Sequence, residues 1–205
     1  SDFLLDDLKA MLMVEKASKV VVILTTRNEG IAKKMSTRPH KLAPLTNDMC
    51  WTIIKQKSGF EEKDDKAKLE QIGMDIAMKC GGVGLAAQSL GYMLNSMPTS
   101  PEWESVRDSD IWTLSASDSE DTPSRQVIAS LRLSYSSMPS YLKLCFAYCA
   151  IFPKGQKILI DDLIHQWVSL GFSTCELGEK YISQLLGLSF LEHSKPSSVS
   201  YAYLL

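Results

Sequence analysis

Long apolar runs are missing from this 205-residue chain. Nothing in it approaches the roughly 20 apolar residues of a membrane-spanning helix, and no stretch reads as a secretory leader. A strong charge of either sign is missing too: the formal net charge is −2, which removes the electrostatic ground for nucleic acid or an anionic membrane as a partner. Histidine is scarce, and His40, His165 and His193 stand far apart with no metal-ligating spacing. Cys50, Cys80, Cys145, Cys149 and Cys175 are odd in number and scattered. They lack the pattern of a secreted disulfide framework and fit a reducing cytosol. Cys145 and Cys149 share a helix face, but no histidine is near enough to complete a metal set, so they read as buried thiols. No serine or cysteine has a recognisable base and acid partner. No catalytic residue and no metal ligand is therefore assigned, and the chain is not expected to be an enzyme.

What is present is an ordinary globular composition, 45% hydrophobic and 22% charged, sufficient for one domain or two to three small ones. The chain starts within a helical pattern (Leu4, Leu5, Leu8, Met11) and stops within an apolar alternation, "SYAYLL". A fragment of a larger protein is expected. Asp6 and Asp7 read as a solvated helix face. "KVVVILTTR" (19–27) is a strong buried-strand signal and "HKLAPL" (40–45) a weaker one. A strand apolar on both faces implies a covered sheet, whose other strands would lie upstream. Arg27, at the carboxyl end of the first strand, stands where ligands sit in open α/β sheets.

Thereafter the pattern is helical. Thr46 or Asn47 caps a helix carrying Cys50, Ile53 and Ile54. Asp64 or Asp65 starts another with Leu69, Ile72, Ile76 and Cys80 on one face, and a third runs from Leu85 to Met97. "SASDSEDTPS" (115–124) reads as a linker. A helix from Val127 to Tyr135 follows, then the very apolar "SYLKLCFAYCAIF", whose Leu142, Cys145, Phe146 and Cys149 should face a core built with Leu131, Leu133, Leu163, Ile164 and Trp167. Asp161 and Asp162 open "IDDLIHQWVSLGF". One more helix and a strand pattern at Val199, Tyr201 and Tyr203 close the chain in the manner of a winged helix.

"CGGVGLAA" (80–87) is rich in glycine and precedes a helix, as phosphate loops do. It follows a helix rather than a strand, however, and no lysine comes after its glycines, so it lacks the phosphate-loop and dinucleotide fingerprints. It reads instead as a tight junction in which Gly81 or Gly82 supplies the left-handed residue ending a helix.

Six segments in order carry a resemblance: "KVVVILTTR", "HKLAPLTNDMCWTIIKQKSGF", "LEQIGMDIAMKCGGVGLAAQSLGYML", "EWESVRDSDIW", "LRLSYSSMPSYLKLCFAYCAIFPKG" and "LIHQWVSLGF". Together they resemble the NB-ARC domain, the nucleotide-binding module of the coiled-coil class of plant nucleotide-binding leucine-rich-repeat immune receptors. The resemblance covers nearly the whole chain. It implies a mainly α fold: a remnant of a parallel α/β nucleotide-binding sheet in 1–46, a small helical ARC1-like subdomain in 47–122, and an incomplete winged-helix, ARC2-like subdomain in 123–205.

The resemblance also implies site residues. "TTR" is similar to the family's sensor motif, which gives Thr26 and Arg27 a place near the terminal phosphate. "CGGVGLAA" is similar to the Gly-Leu-Pro-Leu motif that packs on adenine, with Val83 in place of leucine, Gly84 in place of proline, and Leu85 kept. Proline would fix φ and offer a ring to the base; glycine offers neither. The family's phosphate loop would lie upstream and its Met-His-Asp motif downstream. The intact parent is thus expected to be an ADP/ATP switch in the cytoplasm. Its partners would be the upstream nucleotide-binding half, downstream leucine-rich repeats and its own copies on activation, with no nucleic acid. This chain alone is expected to hold no nucleotide tightly. The alternative is a non-catalytic helical or winged-helix interaction domain; DNA is disfavoured because "IDDLIHQWVSLGF", its candidate recognition helix, carries two acids and no Lys or Arg.

Overall fold

The computed structural model describes residues 23–26, 28–35, 38–114, 122–153, 155–194 and 201–204. It divides into two compact units, Ser1–Ala43 and Pro44–Leu205.

The first unit contains helix α1 (Glu29–Met35). Asn28 starts it: its Oδ1 accepts from the backbone N–H groups of Gly30 (2.8 Å) and Ile31 (3.3 Å), satisfying donors a helix start leaves open. Glu29 in the first turn and Lys33 and Lys34 in the last complement the helix dipole. The strand expectations are corrected here. Residues 19–22 and 27 lie outside the described residues, 23–26 form no strand, and neither does 40–45. A strand exists through its hydrogen-bonded neighbours, and no described residue of this unit offers an edge. Ile23 is accordingly 88% exposed. Asp6 and Asp7 also lie outside the described residues.

The second unit begins with three helices that bury one another's apolar faces. Thr46 caps α2 (Asn47–Lys57), its hydroxyl accepting from Met49 N–H at 3.2 Å. That helix buries Cys50, Trp51 and Ile54. α3 (Lys66–Lys79) contributes Leu69, Ile72 and Ile76, and Gly73 in its middle lets the Trp51 ring lie directly on its backbone. α4 (Gly84–Asn95) buries Ala86, Leu90, Met93 and Leu94.

After the proline-rich break come α5 (Ser100–Arg107) and the single turn α6 (Ile111–Leu114). α5 was missed in the periodicity, yet its start is written in "TSPE": Glu102 Oε2 accepts from Thr99 N–H (2.9 Å) and Thr99 Oγ (2.7 Å), a capping arrangement. It delivers Trp103 to the core, edge-on to Trp51 with centroids 6.5 Å apart.

The rest comprises α7 (Thr122–Ser137), α8 (Ser140–Tyr148), β1 (Ile158–Leu159), α9 (Ile160–Ser169), α10 (Cys175–Gly187), β2 (Leu191–Ser194) and β3 (Tyr201–Leu204). The expected linker is shorter than 115–124, because Thr122–Ser124 already belong to α7. The strands form an antiparallel sheet in the order β1-β3-β2, with Ala202 opposite both Ile158 and His193.

One buried cluster runs from Cys50 to Ala202. Leu142, Cys145 and Cys149 are buried in it as expected, as are Leu133, Leu163, Ile164 and Trp167, and Leu131 packs against it half-buried. Phe146 packs on the edge of the same cluster. Each helical residue turns by about 100°, so the neighbour of Cys145 falls at the rim of that face, and Phe146 is half-buried against Phe190, a member of the cluster (4.6 Å), and Tyr135 (6.1 Å).

Candidate functional site

The junction between α3 and α4 is built from backbone. Cys80 ends α3 in right-handed geometry, then Gly81 (φ +57°) and Gly82 (φ +77°) turn left-handed, a conformation open to glycine at no steric cost. Val83 returns to extended backbone (φ −94°, ψ 110°), its N–H donating to the Cys80 carbonyl at 3.1 Å. Gly84 is then the first residue of α4 and Leu85 the second.

Other segments press on this turn from several sides. Leu45 N–H donates to the Gly82 carbonyl at 2.9 Å. A Cβ on Gly82 would stand 2.6 Å from the Leu45 carbonyl oxygen and from Pro44 Cβ. The Gln126 amide occupies the space a Cβ on Gly81 would need. Burial raises the Cys50 thiol, with a backbone hydrogen bond from Gly82 opposing. Burial, with Cys50 adding to it, pushes the Cys80 thiol up to about 12. Gly84 differs from its neighbours: a Cβ there would meet Leu45 Cδ1 at an ordinary 3.4 Å.

The expected site residues fall as follows. Thr26 is exposed in the first unit, its Oγ1 accepting from Asn28 N–H at 3.1 Å. Arg27 lies outside the described residues. Gly84 and Leu85 sit side by side, half-buried, at the start of α4. The turn presents no cationic side chain of its own. The nearest in sequence, Lys79, places its ammonium 5.5 Å from the Trp112 ring centroid.

A shallow groove of about 410 Å³ beside α3 is lined by Asp75, Met78, Lys79, Arg107 and Asp108. Arg107 is already held by Asp108 through two contacts of 2.8 Å, and by Asp75 at 3.6 Å, so its charge is answered from within the chain.

Among the described residues the cysteines make no ligand set. Burial pushes the Cys145 thiol up to about 11 and, with Cys145 contributing, the Cys149 thiol up to about 12. Cys149 Sγ donates to the Cys145 carbonyl at 3.4 Å. Thiols that hold their protons so strongly pack as small apolar groups.

Sequence inspection missed a buried polar chain. Ser89 Oγ lies 2.7 Å from Ser134 Oγ and donates to the Leu188 carbonyl at 2.8 Å. Its members are 45 and 99 positions from Ser89, and no local pattern announces such a meeting.

Fold and junction together define a mainly helical module, folded about a two-glycine turn and carrying a small antiparallel sheet at its C-terminal end. Residues 3–65 match the NB-ARC domain family, a span that includes Thr26 and Arg27 and stops before Gly84. Disease resistance protein RGA2 of Solanum bulbocastanum is 40% identical over 167 residues, covering 81% of this chain and 16% of the relative. An RPP13-like disease resistance protein of Arabidopsis thaliana is 32% identical over 208 residues, covering 97% and 19%. Disease resistance protein RPH8A, also of Arabidopsis thaliana, is 30% identical over 193 residues, covering 88% and 21%. The chain belongs to the NB-ARC family of plant disease resistance proteins, and it spans about a sixth to a fifth of the length of these relatives.

Proposed function

We propose that the chain is a segment of the ADP/ATP-dependent switch module of a plant immune receptor, non-catalytic by itself and working in the cytoplasm. The observation that carries this is the similarity to disease resistance proteins over four-fifths of the chain. The order of elements supports it. Behind the helices of residues 47–114, α8, β1, α9, α10, β2 and β3 follow in the sequence helix–strand–helix–helix–strand–strand, with sheet order β1-β3-β2. We read that order as a winged helix, and on this view 1–46, 47–122 and 123–205 are three successive subdomains of the switch.

On this view Gly84 and Leu85, half-buried at the start of α4, would face the base. The phosphates find no equivalent. The amides of Gly81 and Val83 already donate to the Met78 and Cys80 carbonyls, and no lysine directly follows the turn, whereas phosphate sites combine free backbone amides with a cation. Thr26 and Arg27 would serve a terminal phosphate only together with upstream residues. Bound nucleotide would supply no chemistry to this chain; it would hold subdomains together. Leucine-rich repeats and further copies of the receptor are the partners such a module would engage.

Calorimetry with ADP and magnesium tests the proposal. No saturable heat is expected from this chain at micromolar concentrations. Micromolar binding would overturn the assignment of the phosphate site to upstream residues.

The alternative is a plain interaction domain. For DNA, the winged-helix order moves the recognition position from α9, assigned from sequence, to α10. α10 carries Glu176, Glu179 and a single Lys180, so it repels phosphate as α9 would.

A further inference from the structure

We infer that the buried hydroxyl chain Ser134–Ser89–Leu188 is a latch that pins the end of α10 to the α4–α7 pair, and that this joint opens before the rest of the core. The role given to it rests on the switch proposal; its existence as a joint does not.

Proton counting fixes the direction of the chain. Ser89 Oγ has one hydrogen and gives it to the Leu188 carbonyl at 2.8 Å. The 2.7 Å contact with Ser134 Oγ must then run from Ser134 to Ser89. Both hydroxyls are fully buried, so neither has water as an alternative. The acceptor is a carbonyl at the C-terminal end of α10, one of those a helix leaves without an internal partner. One hydroxyl on α4 thus closes the end of α10 and receives the hydrogen of α7. Removing it leaves two buried groups unsatisfied, the costly case for a hydrogen bond.

The surroundings make this seam a joint rather than more core. The Tyr92 ring lies on Gly187 where a side chain would otherwise be. Beside that contact the packing is interrupted by a cleft of about 270 Å³, lined among others by Tyr92, Asn95, Ser137, Met138, Gln184 and Leu188. Gln184 Oε1, buried on the same helix, has no hydrogen-bond partner among the described residues. The next residue after Leu188 is Ser189, left-handed at φ +62° although it is not glycine. A tight polar pin, a hollow and a strained residue lie within one turn of chain. Regions with a few specific ties and incomplete packing supply the low-energy openings of a fold.

Hydrogen exchange on the full 205-residue chain, without nucleotide, tests this. Ser89→Ala should speed exchange of amides in 182–191 by about tenfold while α3 stays protected. Ser134→Ala should have a smaller effect in the same segment, because the Ser89–Leu188 bond survives it. The control is Ser130→Ala. Ser130 is equally buried on α7, but its hydroxyl bonds within its own helix, to the Val127 carbonyl at 2.8 Å, and its loss should leave 182–191 unchanged. Gly187→Ala, which displaces Tyr92 without touching a hydroxyl, should open the same segment. Uniform acceleration across α3 and α10, or equal effects of Ser130→Ala and Ser89→Ala, would overturn the latch. The outcome is independent of ADP binding, so it stands or falls separately from the switch proposal.

Discussion

Of the described helices that end in left-handed backbone, α3 and α10 do so differently. α3 ends in Gly81 and Gly82, whereas α10 ends with Ser189 at φ +62°. At the first end the missing side chain is filled by other segments: Pro44 and Leu45 stand within 2.6 Å of where a Cβ would be. At the second, a side chain remains and the backbone closes around it, Ser189 N–H reaching the Leu186 carbonyl (3.1 Å) and Phe190 N–H the Leu185 carbonyl (2.9 Å). The two ends also bury different polar groups nearby. Cys50 and Cys80 flank the first, whereas the hydroxyls of Ser89 and Ser134 serve the second. A glycine junction gripped on several sides is a permanent feature of the fold. A serine junction held by one relay retains strain and can give way.

Alkaline pH should separate the two ends most strongly. An unfolded thiol loses its proton at roughly pH 8.5–9, whereas burial holds Cys80 and Cys149 to about 12. Between those values the folded chain keeps protons the unfolded chain has released, so stability falls as pH rises. Stability from these thiols is complete below about pH 8.5 and lost progressively towards pH 12. Serine hydroxyls do not titrate in that range. Thermal melts from pH 7 to 11 should show a falling midpoint, with the slope reduced in Cys80→Ala. An unchanged slope in that variant would show that the thiol beside the glycine turn does not govern alkaline unfolding.

The next largest effect is expected from Gly82→Ala. A side chain at φ +77° meets backbone at 2.6 Å, and strain of this kind costs about 2–3 kcal/mol. Gly84→Ala, with its nearest new contact at 3.4 Å, is the matched control. Urea denaturation of the pair measures the difference; equal midpoints would mean that the Pro44–Leu45 segment simply moves aside.

These two junctions also show what was legible beforehand. The glycine turn could be read because its signal is local: helix, two glycines, helix. Thr46 as a cap and the faces of α2, α3 and α4 were legible for the same reason. Strand 19–27 was inferred from composition alone, and a β-branched run cannot reveal whether partner strands exist. Phe146, assigned to the inward face, packs at its rim, half-buried against Phe190. The latch was invisible because serine in a helix ordinarily faces water or its own backbone, and only the fold brings positions 89, 134 and 188 together. Leu85 was legible as the start of a helix, which begins one residue earlier, at Gly84. Their relation to Thr26 and Arg27 was not, because that depends on tertiary structure rather than on spacing.

At the second end, Ser189→Gly should stabilise. A left-handed non-glycine residue costs roughly 1–2 kcal/mol, and glycine's greater freedom when unfolded returns about half of that, leaving a net gain of about 0.5–1 kcal/mol. The relay is untouched, since it uses the carbonyl of Leu188 and not the side chain of Ser189. Slower hydrogen exchange in 182–191 together with a higher urea midpoint is the expected pair of results. A loss of stability would mean that the Ser189 side chain makes a contribution greater than its strain.

The smallest effect is expected where the glycine turn passes into α4. Gly84 is the exception in "CGGVG": it is not left-handed, and it is the first residue of a helix. Proline is favoured at that position, since its fixed φ suits the helix and its missing N–H is one the helix would leave open. The preceding residue must be extended, and Val83 is, at φ −94° and ψ 110°. The nearest obstacle is a flexible leucine methyl at 3.4 Å. Gly84→Pro should therefore raise stability by about 0.4–1 kcal/mol through the unfolded chain alone, whereas a side chain two residues earlier, at Gly82, is destabilising. The opposite signs of neighbouring substitutions are the sharpest check on the junction's geometry. A destabilised Gly84→Pro would show that α4 begins later than Gly84, and that this turn is not preformed for the proline that the related motif places there.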